Sequence, residues 1–219
     1  MENRINVSVL MAVYNTDFVL VKRAIDSVLN QNFQNFELII IDDGSLNDPQ
    51  NRILTYAKQH EDKIVYLRHT NCGQSKSISR GILNSTGEFI TILDADDEYK
   101  PHHLQACLQE MDHTDLIAST TETVVDTEND YYVSDKQDHT KFIHVDKCIL
   151  FATLFGRKEV FRTINFLDGY GADARFFERA AQTYRVRKAD LRTYIYYRNM
   201  PNSICSTLKK KHTLVPALL

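Results

Sequence analysis

The chain has 219 residues, of which 43% are hydrophobic and 25% charged, ordinary values for a soluble globular protein with a proper core. A formal net charge of −3 supplies no basic footprint, so nucleic acid is excluded as an expected partner. The four cysteines, Cys72, Cys107, Cys148 and Cys205, form no CxxC pair and read as reduced structural thiols, not a disulfide framework or a zinc site. Residues 1–6 show no signal-peptide pattern and no apolar run is long enough to span a bilayer, so a cytoplasmic protein is expected.

Taken in order, Val7 to Val13 reads as a first strand ended by Tyr14 and Asn15. Thr16 or Asp17 caps a helix with Val21, Ala24, Ile25 and Val28 on its apolar face. A second strand, Phe36 to Ile41, closes at Asp42-Asp43-Gly44-Ser45. A helix over Asn47 to Gln59 and a short strand over Ile64 to Leu67 follow. After the loop Asn71-Cys72-Gly73-Gln74 comes a helix from Ser75 to Asn84, then an apolar strand, Phe89 to Leu93. Strand and helix alternate four times, which argues for a doubly wound, mostly parallel central sheet with helices on both faces.

The second half is less regular. A helix runs from Pro101 to about Met111 and a strand from Asp115 to Thr123. The polar, acidic stretch from Val125 to Thr140 reads as a long loop or irregular hairpin, with a disordered insertion as the alternative. Val145 to Leu150 is a short helix or turn, Ala152 to Phe155 a strand, and Arg157 to Thr163 a helix. The turn Asp168-Gly169-Tyr170-Gly171-Ala172-Asp173 opens a helix that faces Phe176, Phe177, Ala180 and Tyr184 inward. Tyr194 to Arg198 is the last strand. Without repeats or Gly/Ser linkers, one domain is expected over 1–219, with 209–219 as a tail. That tail, three lysines followed by an apolar run, is either a frayed end or a peripheral contact with the inner membrane surface.

The chemistry concentrates at strand ends. Asp94, Asp96 and Asp97 place three carboxylates within four residues at the end of a buried strand, where open α/β sheets bind ligands. Such a cluster repels itself unless a divalent cation or donor-rich ligand stands between the charges. Capping of the following helix is the competing explanation. In a parallel sheet Tyr14, Asn15, Asp42, Asp43 and the acidic cluster share one rim, which suits a polar, phosphorylated ligand.

These motifs together resemble family 2 of the inverting glycosyltransferases: Val7-Ser8-Val9-Leu10-Met11-Ala12-Val13-Tyr14-Asn15, Asp42-Asp43-Gly44-Ser45, Asn71-Cys72-Gly73, and Gly87-Glu88-Phe89-Ile90 leading to Asp94-Ala95-Asp96-Asp97. The resemblance implies a Rossmann-like GT-A fold, with 1–100 as the nucleotide-sugar-binding half and 101–208 as the acceptor-binding half. It implies a UDP-sugar donor, a carbohydrate or lipid-linked acceptor, and a role in cell-surface polysaccharide biosynthesis. Ala12, Tyr14 and Asp43 would line the uridine pocket, with Asp43 accepting a hydrogen bond from the uracil. Asp94 would face the ribose or a metal-bound water, and Asp96 would ligate Mn²⁺ or Mg²⁺, a role for which Asp97 competes. Lys76 lends a charge to the phosphates or is a solvated surface lysine. Asp173 is the implied catalytic base, with plain N-capping as its alternative.

Three departures stand out. Ala172 precedes Asp173 where the family often has Glu, Ile78-Ser79 replaces a frequent Arg-Asn, and Met200 stands where many members place a histidine. They motivate a second expectation, a non-catalytic nucleotide-sugar-binding relative on the same fold. A nucleotidyltransferase is disfavoured for want of a glycine-rich basic loop near the first strand.

Overall fold

The structure, a computed structural model, describes residues 6–48, 50–135, 141–167, 169 and 171–198. Its first strand, β1 (Val7–Val13), is buried almost throughout and lies inside the main sheet with a neighbour on each side. It is followed by α1 (Phe18–Leu29), β2 (Phe36–Asp42), α2 (Arg52–Lys58), β3 (Ile64–Arg68), α3 (Gln74–Asn84) and β4 (Phe89–Ile92). Asp17 caps α1, its carboxylate accepting from the Val19 N–H at 2.8 Å.

β1 pairs in parallel with β2 on one side and β4 on the other. The chain winds outward through β2 and β3, then crosses back over β1 to lay down β4. This reversal is the switch point at which open α/β sheets form a crevice beyond the strand ends. Beyond β4 come β5 (Glu98–Tyr99), α4 (His103–Glu110), β6 (Leu116–Val124), the hairpin β7 (Tyr132–Ser134) and β8 (Phe142–His144), β9 (Leu154–Arg157), α5 (Lys158–Thr163), α6 (Ala172–Ala180) and β10 (Val186–Tyr197). The eight-stranded sheet has the order β3-β2-β1-β4-β9-β6-β10-β5. β9 runs antiparallel between β4 and β6, and β5 antiparallel to β10, so the sheet is mostly parallel.

Alternation along the strands builds the two cores. Val9 and Met11, with Leu38 and Ile40, pack against Val21, Ala24, Ile25 and Val28 of α1 and against α2 and α4. Leu10, Ile39 and Ile41 face the other way, towards Ile78 and Ile82 of α3, Val160 and Phe161 of α5 and Phe176 of α6. Burial on both faces is why these strands read as unbroken apolar runs.

Three expectations are corrected in the second half. The strand expected over Ala152 to Phe155 begins two residues later, after a 3₁₀ turn at Phe151–Thr153, and extends through Gly156 and Arg157. Gly156 looks like a strand breaker, yet a Cβ there would meet the Asp115 carbonyl oxygen at 2.6 Å; the glycine permits the close approach of β6. The final strand is twelve residues long, not five. Its first part, with Arg187, Lys188 and Asp190, carries no apolar run. The pairing with β6 breaks between Ala189 and Tyr194, where Arg192 adopts a left-handed φ of +49°. The two-residue β5 was also not expected; pairing with Tyr194 and Ile195 creates it, not local propensity. Within the Val125 to Thr140 stretch the described residues form a 3₁₀ turn at Glu128–Tyr131 and the hairpin strand β7.

Candidate active site

The carboxyl ends of β1, β2 and β4 border a cleft of about 560 Å³, closed on its far side by Leu150 to Thr153, Asp173 and the end of β10. Ala12, Tyr14, Asp43, Asp94, Asp96, Asp97 and Asp173, scattered over more than 160 positions of sequence, all line it. Lys76 does not. It lies exposed in the first turn of α3, and its charge acts on the neighbouring Cys72 thiol.

At the base of the cleft the β1 and β2 turns are laced together. Asn15, at a left-handed φ of +52°, accepts from the Leu46 N–H at 2.8 Å, and its own N–H donates to Ser45 Oγ at 3.0 Å. Asp42 is a strut: its carboxylate accepts from the Ser45 N–H at 2.7 Å and the Tyr66 hydroxyl at 2.6 Å, with the Arg68 guanidinium at 3.2 Å. Asp43, almost fully buried, holds the next loop. It accepts from the Cys72 N–H at 2.7 Å, the Gly73 N–H at 2.9 Å and Asn71 Nδ2 at 2.9 Å. Gly44 makes this approach possible: at φ +79°, an added Cβ would lie 2.8 Å from the Asn71 nitrogen. Tyr14, half exposed, is among the residues that line the cleft.

The acidic wall is a tight turn. The Asp97 N–H donates to the Asp94 carbonyl at 3.1 Å, so the three carboxylates leave one turn in different directions. Asp94 accepts from Gln74 Nε2 at 2.9 Å, and its N–H donates to the Tyr194 hydroxyl at 3.2 Å. Asp97 is 1% exposed and has both oxygens engaged, by the Tyr194 hydroxyl at 2.7 Å and the Tyr197 N–H at 2.9 Å. Asp96 differs: among the described residues no other residue donates a hydrogen bond to its carboxylate, while its carbonyl accepts from the Arg23 guanidinium. Arg23 in turn sits 4.0 Å over the Tyr197 ring and 3.1 Å from Glu98.

The electrostatics follow from the crowding. Burial, then Asp96 and Asp173, push Asp94 up to about 7, with the Gln74 hydrogen bond opposing. Burial raises Asp96 against the pull of Arg23. Burial together with Asp94 and Asp96 raises Asp97 further, although Tyr197 and Tyr194 stabilise its charge. Asp173 sits in the first turn of α6 behind Gly171, whose φ of +72° turns the chain into the helix. One oxygen accepts from the Ala174 N–H at 2.8 Å, so it does not cap the helix; Gly171 occupies that position. Burial raises Asp173 too, and backbone N–H groups of Ala174 and Phe151 pull it back.

Several cleft residues were missed or given no role from sequence: Gln74, Tyr194, Tyr196 and Arg198, and the Phe151 to Thr153 turn. Arg198 is a buried cation whose side chain donates to the carbonyls of Asp130 and Tyr132. A buried arginine needs such acceptors, but nothing local in Tyr197-Arg198 says that the 3₁₀ turn and β7 supply them. Of the expected departures, Ile78 is packed in the core, whereas Met200 lies outside the described residues, as do Cys205 and the tail from 209. No helix among the described residues is long and apolar enough to cross a membrane.

Comparisons with known proteins bear on the fold and the family. An uncharacterized glycosyltransferase of Nostoc sp. is 37% identical over 111 residues, covering 51% of this chain and 34% of that protein. The chain therefore spans about a third of the length of that relative. Among solved structures, S. aureus TarS 1-349 in complex with UDP-GlcNAc superposes with a TM-score of 0.71 at 19% identity, covering 92% of this chain and 61% of that one. The mannosyltransferase PcManGT from Pyrobaculum calidifontis, in complex with GDP-Man and Mn²⁺, gives 0.72 at 15% identity, covering 95% and 61%. These likenesses establish the GT-A type of fold for the Rossmann-like sheet described above. Residues 8–181 match the family described as glycosyl transferase family 2, and with most of its length so matched the chain belongs to that family of glycosyltransferases.

Proposed function

We propose that this protein is an inverting glycosyltransferase that moves a sugar from a UDP-sugar to a carbohydrate or lipid-linked acceptor, with Mn²⁺ or Mg²⁺, in cell-surface polysaccharide assembly. The observation that carries the reading is the convergence of Asp94, Asp96 and Asp173 in one cleft whose other end is the Tyr14 and Asp43 floor. Burial raises both Asp94 and Asp96, and at Asp94 the charges of Asp96 and Asp173 add to it; an all-oxygen set of this kind fits a hard divalent cation. Asp96, and Asp94 beside it, would hold that cation. Asp97 is better read as the anchor of the turn, because Tyr194 and Tyr197 hold both of its oxygens and it is buried where Asp94 and Asp96 are partly open. When bound, the cation supplies charge neutralisation to the departing nucleoside diphosphate.

The remaining roles belong to the chain itself. Tyr14 and Asp43 bind the nucleoside, Asp43 accepting one further hydrogen bond beside the three that position it. Asp173, opposite the acidic turn, takes the proton of the acceptor hydroxyl as that oxygen attacks the anomeric carbon and the diphosphate leaves. Its raised affinity for a proton suits a base. Residues 1–100 form the donor half and 101–208 the acceptor half. Mn²⁺ and a nucleotide sugar in the PcManGT complex, and UDP-GlcNAc in the TarS complex, support a nucleotide-sugar donor.

A hydrolysis screen of UDP- and GDP-sugars with Mn²⁺ tests the reading. We expect turnover of at least one UDP-sugar that stops on chelation, and Asp173→Asn to lower transfer by roughly 10²- to 10⁴-fold with nucleotide affinity unchanged. Full activity in Asp173→Asn would remove it from the base role. Tight UDP binding with no turnover would favour the non-catalytic alternative that Ala172 suggests.

A further inference from the structure

Beside the acidic wall, at the Asp43 end of the cleft, lies a cluster of different chemistry, of which the proposed glycosyl transfer uses Asp43 alone. Asp43, His69 and Cys72 each bring one ligand atom, and these atoms lie within 4.8 Å of one another. Cys72 Sγ is 3.2 Å from His69 Nδ1, which is 3.6 Å from Asp43 Oδ1. Zn–S and Zn–N bonds of about 2.3 and 2.0 Å at a tetrahedral angle put sulfur and nitrogen about 3.5 Å apart, so small shifts would close the set.

The imidazole is already supported from behind. His69 Nε2 lies 3.1 Å from the oxygen of Ser77, a fully buried hydroxyl that donates onward to the Gly73 carbonyl at 3.1 Å. A metal on Nδ1 leaves the proton on Nε2, where Ser77 Oγ accepts it; this outer hydrogen bond orients most ligating histidines. Without a metal, the Nδ1 proton goes to the Thr70 carbonyl at 2.9 Å. Burial and the Asp43 carboxylate push the Cys72 thiol up, so ligation has to release its proton. Cys72 is exposed, which leaves the fourth position open to water.

We propose that Asp43, His69 and Cys72 form a second metal site, selective for Zn²⁺ or a similarly thiophilic divalent ion over Mg²⁺ and Mn²⁺. The selectivity follows from the donors: thiolate and imidazole suit zinc, whereas the Asp94/Asp96 wall offers only oxygens. Because Asp43 would be shared, zinc here excludes the nucleoside; this consequence, unlike the site itself, rests on the proposed nucleotide reading.

Co²⁺ titration of the full chain under reducing conditions reads the site directly. A thiolate-to-cobalt charge-transfer band in the near ultraviolet is expected, which oxygen ligands at the acidic wall cannot produce. Cys72→Ser should abolish it, His69→Gln should weaken affinity at least tenfold, and Ser77→Ala should weaken it about tenfold. Zn²⁺ should bleach the band and Mg²⁺ should not. Absence of the band, or its survival in Cys72→Ser, overturns the proposal. UDP with Mg²⁺ should suppress the band; a band indifferent to UDP would leave the metal site standing and overturn only its competition with nucleotide.

Discussion

Asp94 shows how one carboxyl group records the character of the whole cleft. It is held near pH 7 by burial and by the charges of Asp96 and Asp173. A free aspartate loses its proton near pH 4. Over the interval between, the folded protein keeps a proton that the unfolded chain has lost, so the contribution is full below about pH 4 and disappears as pH rises through about 7. Asp96, Asp97 and Asp173 are raised as well and act with the same sign. We therefore expect the melting temperature of cation-free protein to decline between pH 5 and 8 more steeply than that of Asp94→Asn, and Mn²⁺ to flatten the decline. Parallel pH profiles for the two proteins, measured by calorimetry, would contradict this origin of the shift. Adjacent residues differ in what sequence alone discloses. That Asp94, Asp96 and Asp97 would border a common cleft was legible from their position after a buried strand; which donors each of them meets was not.

The division is made between elements. β10 reaches across to the turn after β4, where Tyr194 and Tyr197 occupy both oxygens of Asp97. Removing that carboxylate strands a buried hydroxyl and a partly buried N–H, the buried group costing about 1–3 kcal/mol when left without a partner and the other less. Asp97→Ala should thus destabilise by roughly 3 kcal/mol in denaturant unfolding. Asp96→Ala should leave cation-free stability at neutral pH unchanged or slightly higher, since it relieves the charge on Asp94 and Asp97, and should remove the cation-dependent gain. The opposite order would return Asp97 to the metal. The elements themselves were unequally legible. β1, β2 and β4, buried on both faces, declared themselves as apolar runs, and Asp17 marked the start of α1. β5 and the first part of β10 did not, because pairing with distant strands stabilises them and their own residues are charged or few. β9 was placed two residues early for a related reason: Gly156 weakens a strand locally but is what lets β6 approach.

At the scale of the molecule, a nucleotide that spans the cleft should tie the floor after β1 and β2 to the acidic turn after β4. At a hundredfold excess over Kd, a ligand adds about 2.7 kcal/mol, which for a chain of this size is roughly 5–10 °C in melting temperature. UDP should give such a shift only with Mn²⁺ or Mg²⁺ present, and GDP a smaller one. Equal shifts for the two nucleotides would remove the uracil preference, and a UDP shift indifferent to cation would remove the metal from nucleotide binding. The sequence by itself determined the alternation of strand and helix, the family, and the set of strand-end residues that meet, because apolar periodicity and parallel topology are repeated local signals. It carried Lys76 no further than an open choice, and the structure puts that side chain outside the cleft on α3. Only the tertiary structure decided that Asp42 is a strut, that Asp43 gathers the Asn71 to Gly73 loop, that Asp97 is engaged by β10 while Asp96 is not, and that His69 and Cys72 stand beside Asp43. Each of these is a question of which donor reaches which oxygen across tens of residues. A carboxylate's task is set by the partners that folding brings to it, and those partners leave no mark on the residues beside it in sequence.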